Sequence, residues 1–247
     1  MTWWFHKEIH RSGKLKTRTR RALVVSFSGI DGAGKSTQIS ALQDRMTEAG
    51  IRVLLLTFWD DVAVWTRLRE AASHGLFEGD KGIGTPDRPL NRRDKNVRAW
   101  HVTAARFFFY LLDSLHLNLV VAKALASGAE VVIFDRYIYD EFANLFPKHW
   151  LIGAYVRLML KCVPRPDVAF LLDTDPLLAR ARKPEYPVDF LCSNRASYLD
   201  LSELAGMTVI SASTLLEIER KITEEMLKRW KDLAHFAEES HQVDSSS

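Results

Sequence analysis

The chain has 247 residues, of which 47% are hydrophobic and 26% are charged. This length suits one large α/β domain or at most two small ones, and the composition is that of a globular protein with a full core. The net charge of +3 is too small to indicate nucleic-acid binding by itself. Cys162 and Cys192 lack the spacing of metal ligands, which favours free thiols in a reducing cytoplasm.

The first 21 residues form a basic and aromatic extension ahead of the domain. Three aromatic residues and seven basic residues define it: Trp3, Trp4, Phe5, Lys7, Arg11, Lys14, Lys16, Arg18, Arg20 and Arg21. A solvated or packed extension is the simpler interpretation, and contact with a membrane surface or nucleic acid is the alternative. We expect no nucleic-acid partner, one main domain over residues 22–240 and a disordered tail over residues 241–247.

Five short aliphatic runs predict buried parallel strands, because the runs are nearly continuous rather than alternating. They are Leu23–Ser28, Val53–Thr57, Val131–Phe134, Val168–Leu172 and Thr208–Ile210. Helical patterns lie between them, at Thr37–Ala49, Val62–His74, Arg92–Ala126, Tyr139–Leu160, Pro176–Arg182 and Thr214–Ala237. Strands that alternate with helices imply right-handed crossovers and a doubly wound α/β sheet.

The segment between the first strand and the first helix carries the strongest functional signal. Residues 29–36 match G-x-x-x-x-G-K-[ST], in which glycines turn backbone N–H groups toward a polyphosphate at the positive end of a helix. Lys35 is expected to reach the β- and γ-phosphates, and the Ser36 hydroxyl to ligate Mg²⁺. The predicted nucleotide-binding residues are Gly29, Ile30, Asp31, Gly32, Ala33, Gly34, Lys35, Ser36 and Thr37.

Polar residues follow the predicted strands at the ends where ligands bind in doubly wound sheets. They are Asp31, then Asp60 and Asp61, then Asp135 and Arg136, then Asp173 and Asp175. We expect Asp135 to hold Mg²⁺ directly or through water, with a cap on the following helix as the alternative. Arg136 is predicted to bind a phosphate, whose geometry matches the guanidinium fork.

Phosphoryl transfer also needs mobile cations that close over the reacting group. Arg180, Arg182, Lys183 and Arg195 fit a lid at about residues 180–198, and a solvated helix face explains each of them equally well. The stretches Gly75–Arg93 and Lys183–Arg195 contain glycine, proline or clustered charge, and both are predicted to be irregular.

Residues 106–126 are apolar enough to raise the question of a membrane span. Five polar or charged residues interrupt them: Arg106, Asp113, His116, Asn118 and Lys123. A bilayer span would have to bury all five, which is costly. We therefore predict a core helix and no transmembrane segment.

Several of these blocks resemble thymidylate kinases. Residues 27–38 are similar to the family's phosphate loop, and residues 123–137 are similar to the segment that leads into its Asp-Arg-aromatic motif. Residues 166–176 resemble the strand before the family's lid, and residues 195–201 and 209–213 resemble its last lid helix and final strand. The resemblance implies a P-loop NTPase fold with sheet order 2-3-1-4-5 and an ATP:nucleoside-monophosphate phosphotransferase.

By residue, the resemblance implies that Asp31 contacts the acceptor sugar hydroxyl or a metal-bound water. It implies that Lys35 and Ser36 hold ATP and Mg²⁺, and that Arg136 holds the acceptor phosphate. Some members carry a catalytic arginine in the phosphate loop, where this chain has Ala33. The lid is therefore expected to supply the catalytic cation, from Arg180, Arg182 or Lys183.

The acceptor side departs from the family pattern. The family's Thr-Arg-Glu-Pro is replaced by Thr57-Phe58-Trp59-Asp60, its thymine-contacting arginine falls at Ser114, its Tyr-Gln pair falls at Asn144-Leu145, and its stacking aromatic is kept as Tyr110. Arg106 lies one helical turn from Tyr110 and is a partial substitute for substrate binding, with a structural arginine beside the core as the alternative. Asp60 and Asp61 are candidate acceptor-site acids or, equally, strand-end caps.

The leading hypothesis is a cytoplasmic enzyme that transfers phosphate from ATP to a nucleoside monophosphate, with dTMP the first acceptor to test. One alternative is a kinase of a nucleoside or another phosphorylated metabolite. Another is a regulatory ATP-binding protein that docks through its N-terminal extension. The four residues Lys35, Ser36, Asp135 and Arg136 disfavour the last, since a scaffold does not need all of them. The family's dimerisation through helices near residues 92–126 suggests a homodimer.

Overall fold

The computed structural model describes residues 21–64, 100–145, 150–211 and 214–244, with only the backbone described in residues 100–105 and 231–244. The loop predicted at Gly75–Arg93 lies outside the described residues. Residues 1–20 of the predicted extension and residues 245–247 of the predicted tail also lie outside them.

Five parallel strands form one sheet in the order β2-β3-β1-β4-β5, as the family resemblance implies. The strands are β1 (Leu23–Ser28), β2 (Val53–Thr57), β3 (Val131–Asp135), β4 (Val168–Asp173) and β5 (Thr208–Ser211). All six residues of the central strand β1 are buried, which explains its continuous aliphatic sequence. All five strand predictions are confirmed, and the last three strands each extend one residue further.

Seven α-helices connect or flank the strands in the described part of the chain. They are α1 (Lys35–Glu48), α2 (Trp100–Ala126), α3 (Ile138–Ala143), α4 (Trp150–Cys162), α5 (Pro176–Arg182), α6 (Val188–Ala205) and α7 (Leu215–Asp244). A short π-helical segment, Phe58–Val62, follows β2. Because the strands are parallel, their carboxyl ends lie on the same side of the sheet. The predicted polar residues follow these carboxyl ends.

Two helix predictions near the sheet are corrected by the structure. The helix expected at Tyr139–Leu160 is two helices, α3 and α4, and the sequence between them contains Pro147. A proline in a helix interior removes a backbone hydrogen bond and clashes with the preceding turn. The helix expected at Val62–His74 does not start at Val62, because Ala63 has extended backbone angles (φ −62, ψ 126). Residues 65–74 of that prediction lie outside the described residues.

Two boundaries in the second half of the chain also differ from prediction. The stretch Lys183–Arg195 is irregular only at its start, because α6 begins at Val188 directly after Pro187. Pro187 has φ −57, which prepares the backbone for helix. Helix α7 continues to Asp244, into residues predicted as a tail, since residues 215–244 contain no glycine or proline.

Helix α2 is buried on one face and exposed on the other. Leu117, Val121 and Ala124 belong to the core. The opposite face exposes Phe108, Leu111, Leu115 and Leu119. The stretch Arg106–Ala126 is long and apolar enough to cross a membrane, and 39% of its most apolar window is buried in the structure. The prediction of a core helix is therefore correct for one face of α2 and wrong for the other.

Candidate active site

The phosphate loop joins β1 to α1 through backbone angles that favour glycine. Gly29, Gly32 and Gly34 have φ of +145°, +88° and +88°, which side chains rarely adopt. A Cβ on Gly29 would lie 2.7 Å from the carbonyl oxygen of Leu172, so the loop presses against the end of β4. The first turn of α1 contains no acidic residue. Its positive dipole end is therefore left to attract an anion.

Lys35 lies inside this loop rather than in solvent. Its side-chain Nζ donates hydrogen bonds to the carbonyl oxygens of Gly29, at 2.6 Å, and Ile30, at 3.0 Å. Only 6% of the residue is exposed. The neighbouring Ser36 and Thr37 are exposed at the start of α1. Lys35 therefore lies among the loop carbonyls while the next two residues, both with hydroxyl groups, are exposed, an order of residues typical of phosphate loops.

Asp135 ends β3, between Phe27 of β1 and Thr57 of β2. Burial raises the pKa of its carboxyl group, although the nearby charges of Arg136 and Lys35 oppose the shift. A desolvated carboxylate beside the loop fits Mg²⁺, which binds through one or two protein carboxylates together with substrate phosphates. Among the described residues no group of three or more His, Cys, Asp or Glu side chains could hold a metal by itself.

Arg136 is the one described non-glycine residue with positive φ, at 69°. This conformation costs about 1 kcal/mol or more for a residue with a side chain, and such strain concentrates at functional sites. The guanidinium group donates to Asp31 and, at 3.4 Å, to Asp140. Although burial opposes the shift, these two carboxylates raise the pKa of Arg136. The structure therefore brings the predicted residues Asp31 and Arg136 together.

Asp140 is the site residue that sequence reasoning missed. Its Oδ2 accepts hydrogen bonds from the Ser28 hydroxyl at 2.7 Å and from the Tyr137 backbone N–H at 3.1 Å. Its Oδ1 accepts from the Tyr198 hydroxyl at 2.8 Å. An acidic residue three positions after the helix N-cap is a capping signal that the sequence does contain. Asp140 therefore satisfies the start of α3 from the third helical position, by accepting the N–H of the N-cap residue Tyr137. Asp135 is not the cap of this helix.

The predicted lid cations lie on or just after α5. Arg180 donates to the Tyr186 carbonyl oxygen, and Lys183 lies 3.2 Å from the buried carboxylate of Glu185. Arg182 is exposed. The charge of Lys183 also lowers the pKa of Asp135, although less than the charges of Arg136 and Lys35 do. The contacts of Arg180 and Lys183 thus hold the segment that follows α5.

Arg195, the last lid candidate, has a structural partner. Its Nε and Nη2 donate to the two oxygens of Asp173 at 2.5 Å and 2.8 Å. The Ser211 hydroxyl donates to the same carboxylate at 3.2 Å. Hydrogen bonding from Arg195 lowers the pKa of Asp173. The Asp173 carboxylate therefore connects Arg195 of α6 to the ends of β4 and β5. In the structure Arg195 is a fixed ion-pair partner rather than a mobile cation.

The acceptor-side candidates on α2 lie against the core. Arg106 is half-buried, and Tyr110 is only 4% exposed, with its ring edge-to-face on Phe142 at 6.5 Å. The hydroxyl of Ser114 donates to the Tyr110 carbonyl oxygen at 2.6 Å. Tyr110 therefore offers little exposed ring surface for stacking, which the spacing of the helix could not reveal.

The other acceptor-side positions are divided between solvent and core. Asp60 is exposed on the π-helical segment, while Asp61 accepts the Thr57 backbone N–H at 2.6 Å and so caps the strand end. Asn144 is buried and accepts a hydrogen bond from Asn194 of α6 at 3.2 Å. The position of the family's base-reading tyrosine is therefore occupied by a link between α3 and α6.

The sheet order and the phosphate loop at the tip of its central strand define a P-loop NTPase fold. A family model described as "Methylmalonyl Co-A mutase-associated GTPase MeaB" matches residues 9–60, which include β1, the phosphate loop, α1 and β2. Such a match covers less than half of the chain and falls on the elements that proteins with this loop share. It does not by itself show a family.

Relatives over the longer part of the chain are thymidylate kinases. The thymidylate kinase of Xanthomonas campestris pv. campestris (strain B100) is 30% identical over 206 residues, covering 79% of this chain and 78% of that protein. The chain belongs to the thymidylate kinase family. The thymidylate kinase of Xanthomonas oryzae pv. oryzae (strain PXO99A) is also 30% identical, and the chain spans 60% of its length. The probable thymidylate kinase of Methanobrevibacter smithii is 28% identical, over 78% of this chain and 87% of that protein.

A solved structure has the same fold. The thymidylate kinase from Ehrlichia chaffeensis superposes with a TM-score of 0.54 at 18% identity, covering 83% of this chain and 99% of the other. This likeness concerns the fold alone, because the identity is low.

Proposed function

We propose that this protein is an enzyme that transfers the γ-phosphate of ATP to a nucleoside monophosphate, with dTMP as the first acceptor to test. The observation that carries the proposal is the pairing of two phosphate-binding features at one edge of the sheet. The glycine loop with Lys35 is one, and the strained Arg136 at the end of β3 is the other. A phosphotransferase must hold the acceptor phosphate as well as the donor phosphates, and Arg136 is the proposed group for the acceptor.

In this proposal the loop residues 29–37 cradle the ATP phosphates. Lys35 would exchange its carbonyl partners for phosphate oxygens, and Ser36 and Asp135 would hold Mg²⁺ together with the nucleotide. A metal bound there would supply positive charge that neutralises the transferred group. Arg180 and Arg182 of α5 add the cation that the loop lacks at Ala33. The packing of α5 against the loop, at Gly32 and Ala179, supports this assignment.

The acceptor half is assigned to Arg136 and Asp31. Arg136 binds the acceptor phosphate, and Asp31 orients the guanidinium and receives the acceptor hydroxyl or a metal-bound water. Arg106, Tyr110 and Asp60 remain proposed acceptor contacts. Support for Arg136 comes from its left-handed backbone, since a strained conformation persists only where surrounding contacts determine it.

We also propose that the enzyme is cytoplasmic and homodimeric. The exposed face of α2, formed by Phe108, Leu111, Leu115 and Leu119, repeats at the spacing of one helix side. Contiguous exposed apolar surface of this kind marks an interaction site, and a second copy of the chain is the partner that we propose. Pairing of two copies through α2 would cover this apolar face with protein, so that it would not have to be covered by lipid.

A coupled ADP-release assay tests the acceptor directly. Purified protein is screened with ATP and Mg²⁺ against all common nucleosides and nucleoside monophosphates, with GTP as a second donor. We expect ADP release that depends on a nucleoside monophosphate, with dTMP among the active acceptors. Release stimulated by another acceptor would keep the kinase and change its substrate. Folded protein that releases no ADP with any acceptor would favour a binding protein.

The role of Arg136 has its own test. Arg136→Ala is expected to raise the KM for dTMP roughly ten- to a hundredfold, because a charged contact to phosphate contributes about 1.5–3 kcal/mol. The KM for ATP should change much less. Equal losses for the two substrates would contradict the assignment.

A further inference from the structure

The carboxylate of Asp140 accepts four hydrogen bonds next to the proposed acceptor residue Arg136. Four donors converge on its two oxygens: the Ser28 hydroxyl, the Tyr137 N–H, the Tyr198 hydroxyl and the Arg136 guanidinium. The residue is 3% exposed. A buried carboxylate is costly unless it is fully hydrogen-bonded, and here both oxygens are bonded twice.

The geometry distributes these donors in an informative way. Oδ2 binds the fixed part of the fold, through the end of β1 at Ser28 and the cap of α3 at Tyr137. Oδ1 binds Tyr198 of α6 at 2.8 Å and Arg136 at 3.4 Å. Asp140 therefore connects the predicted phosphate-binding arginine to the helix that follows the lid region.

Arg136 is held from two sides by this arrangement. Asp31 of the phosphate loop and Asp140 of α3 each accept from a different terminal nitrogen of the guanidinium. A guanidinium has five N–H donors in a rigid plane, so two anchors fix the direction in which its other donors point. The side chain of Arg136 is only 18% exposed, so few alternative orientations are open to it.

We propose that Asp140 is a positioning residue for the acceptor phosphate, which it serves by fixing the Arg136 guanidinium and coupling it to helix α6 through Tyr198. This inference rests on the proposed function, in which Arg136 binds the acceptor phosphate. When acceptor arrives, Asp140 keeps Arg136 in place while Asp31 is released for the acceptor.

The test compares Asp140→Asn with a matched variant, Asp167→Asn, at the amino-terminal ends of the strands. Asp167 also accepts from one backbone N–H, that of Val24 at 2.8 Å, and pairs with one arginine, Arg21 at 3.2 Å. In Asp140→Asn the amide must turn its NH₂ group toward either the Tyr137 N–H or the Arg136 guanidinium, and both are donors. We expect the KM for dTMP to rise about tenfold, with the KM for ATP unchanged. Asp167→Asn should lower the melting temperature and leave both KM values unchanged.

A double-mutant cycle separates positioning from general destabilisation. If Asp140 acts through Arg136, then Asp140→Asn adds no further loss of dTMP affinity in the Arg136→Ala background. Tyr198→Phe retains the carboxylate and removes one link, so we expect a smaller rise in the KM for dTMP and a folded protein. This second variant keeps the test decisive if Asp140→Asn does not fold.

The outcomes distinguish this inference from the proposed function. Arg136→Ala that leaves the KM for dTMP unchanged, or wild-type protein that phosphorylates no nucleoside monophosphate, refutes the acceptor assignment and this inference with it. If wild-type protein phosphorylates another nucleoside monophosphate instead of dTMP, the KM for that acceptor replaces the KM for dTMP in each comparison. Arg136→Ala that raises the KM, combined with Tyr198→Phe and Asp140→Asn variants that do not, refutes the positioning role alone. Additive losses in the double mutant would also refute it.

Discussion

Gly32 of the phosphate loop lies directly against the carbonyl oxygen of Ala179 in helix α5. A Cβ built on residue 32 would overlap that oxygen, whereas the same atom on Gly34 meets nothing within 4 Å among the described residues. Both glycines have φ of +88°. The two positions therefore have the same φ, but only Gly32 lacks room for a Cβ atom. Comparing them separates the need for positive φ from the need for close packing.

Gly32→Ala is expected to destabilise the protein more than Gly34→Ala. Both substitutions carry a left-handed penalty of about 1–2 kcal/mol. Only Gly32→Ala must also push α5 away from the loop. Chemical denaturation of the two variants measures the difference in the free energy of unfolding. Equal losses would mean that α5 does not pack on the loop as described.

Asp135→Asn is expected to lower activity while raising stability. Burial raises the pKa of Asp135, so the charged form is disfavoured in the folded state. Stability contributed at this site therefore falls as the pH rises through the raised pKa, and an amide removes that cost at neutral pH. Loss of the proposed metal ligand should reduce activity by about tenfold or more. Thermal melts and the ADP-release assay measure the two effects.

The matched change for Asp135 is again Asp167→Asn, at the amino edge of the sheet, which should lose stability and retain activity. An Asp135→Asn variant that melts at a lower temperature than wild type and remains fully active would assign a purely structural role to Asp135.

The Asp173–Arg195 pair predicts a pH-dependent contribution to stability. Hydrogen bonding from Arg195 lowers the folded-state pKa of Asp173 below the ordinary value of 3.8. Its stabilisation is therefore present above pH 3.8 and is lost as the pH falls through the lowered pKa. Arg195 is partly exposed, so Asp173→Asn should cost only about 1 kcal/mol at pH 7. The difference from wild type should shrink toward zero in acid.

Glu203→Gln provides the control for that measurement, because Glu203 is an exposed carboxylate on α6, the helix that contains Arg195. Urea titrations at several pH values give the unfolding free energies. A constant difference between wild type and Asp173→Asn across the acid range would contradict the ion pair.

The apolar face of α2 predicts the oligomeric state. Leu115 and Leu119 are 59% and 60% exposed, and charging both with Leu115→Lys and Leu119→Lys should convert a dimer to a monomer. Leu216→Lys, at an equally exposed leucine on α7, should leave the dimer intact. Sedimentation equilibrium measures the mass of each variant. A monomeric wild-type protein would refute the proposed pairing.

Much of the fold was predictable because its signals are local. The aliphatic runs of the five strands reflect burial on both faces of a parallel sheet, and each run matches a strand. The phosphate loop is equally local, since its glycines, Lys35 and Ser36 are contiguous. The placement of Asp135 and Arg136 at a strand end followed from the strand pattern alone.

The remainder of the site depends on long-range contacts. Asp140 looks like an ordinary acid in the first turn of a helix, yet its partners Ser28 and Tyr198 are 112 and 58 residues away. The burial of Tyr110 depends on Phe142 of another helix. Arg195 lies in a stretch predicted as a lid, but it forms an ion pair with Asp173 at the end of β4. No pattern within a short window of sequence contains these pairings.

The central claim is tested most directly by following the γ-phosphate itself. Wild-type protein and Lys35→Ala are incubated with γ-labelled ATP, Mg²⁺ and dTMP, and the products are separated. We predict labelled dTDP from the wild-type protein, with its formation abolished or strongly reduced by Lys35→Ala. Folded wild-type protein that transfers no label to dTMP, or a Lys35→Ala variant as active as wild type, would contradict the account.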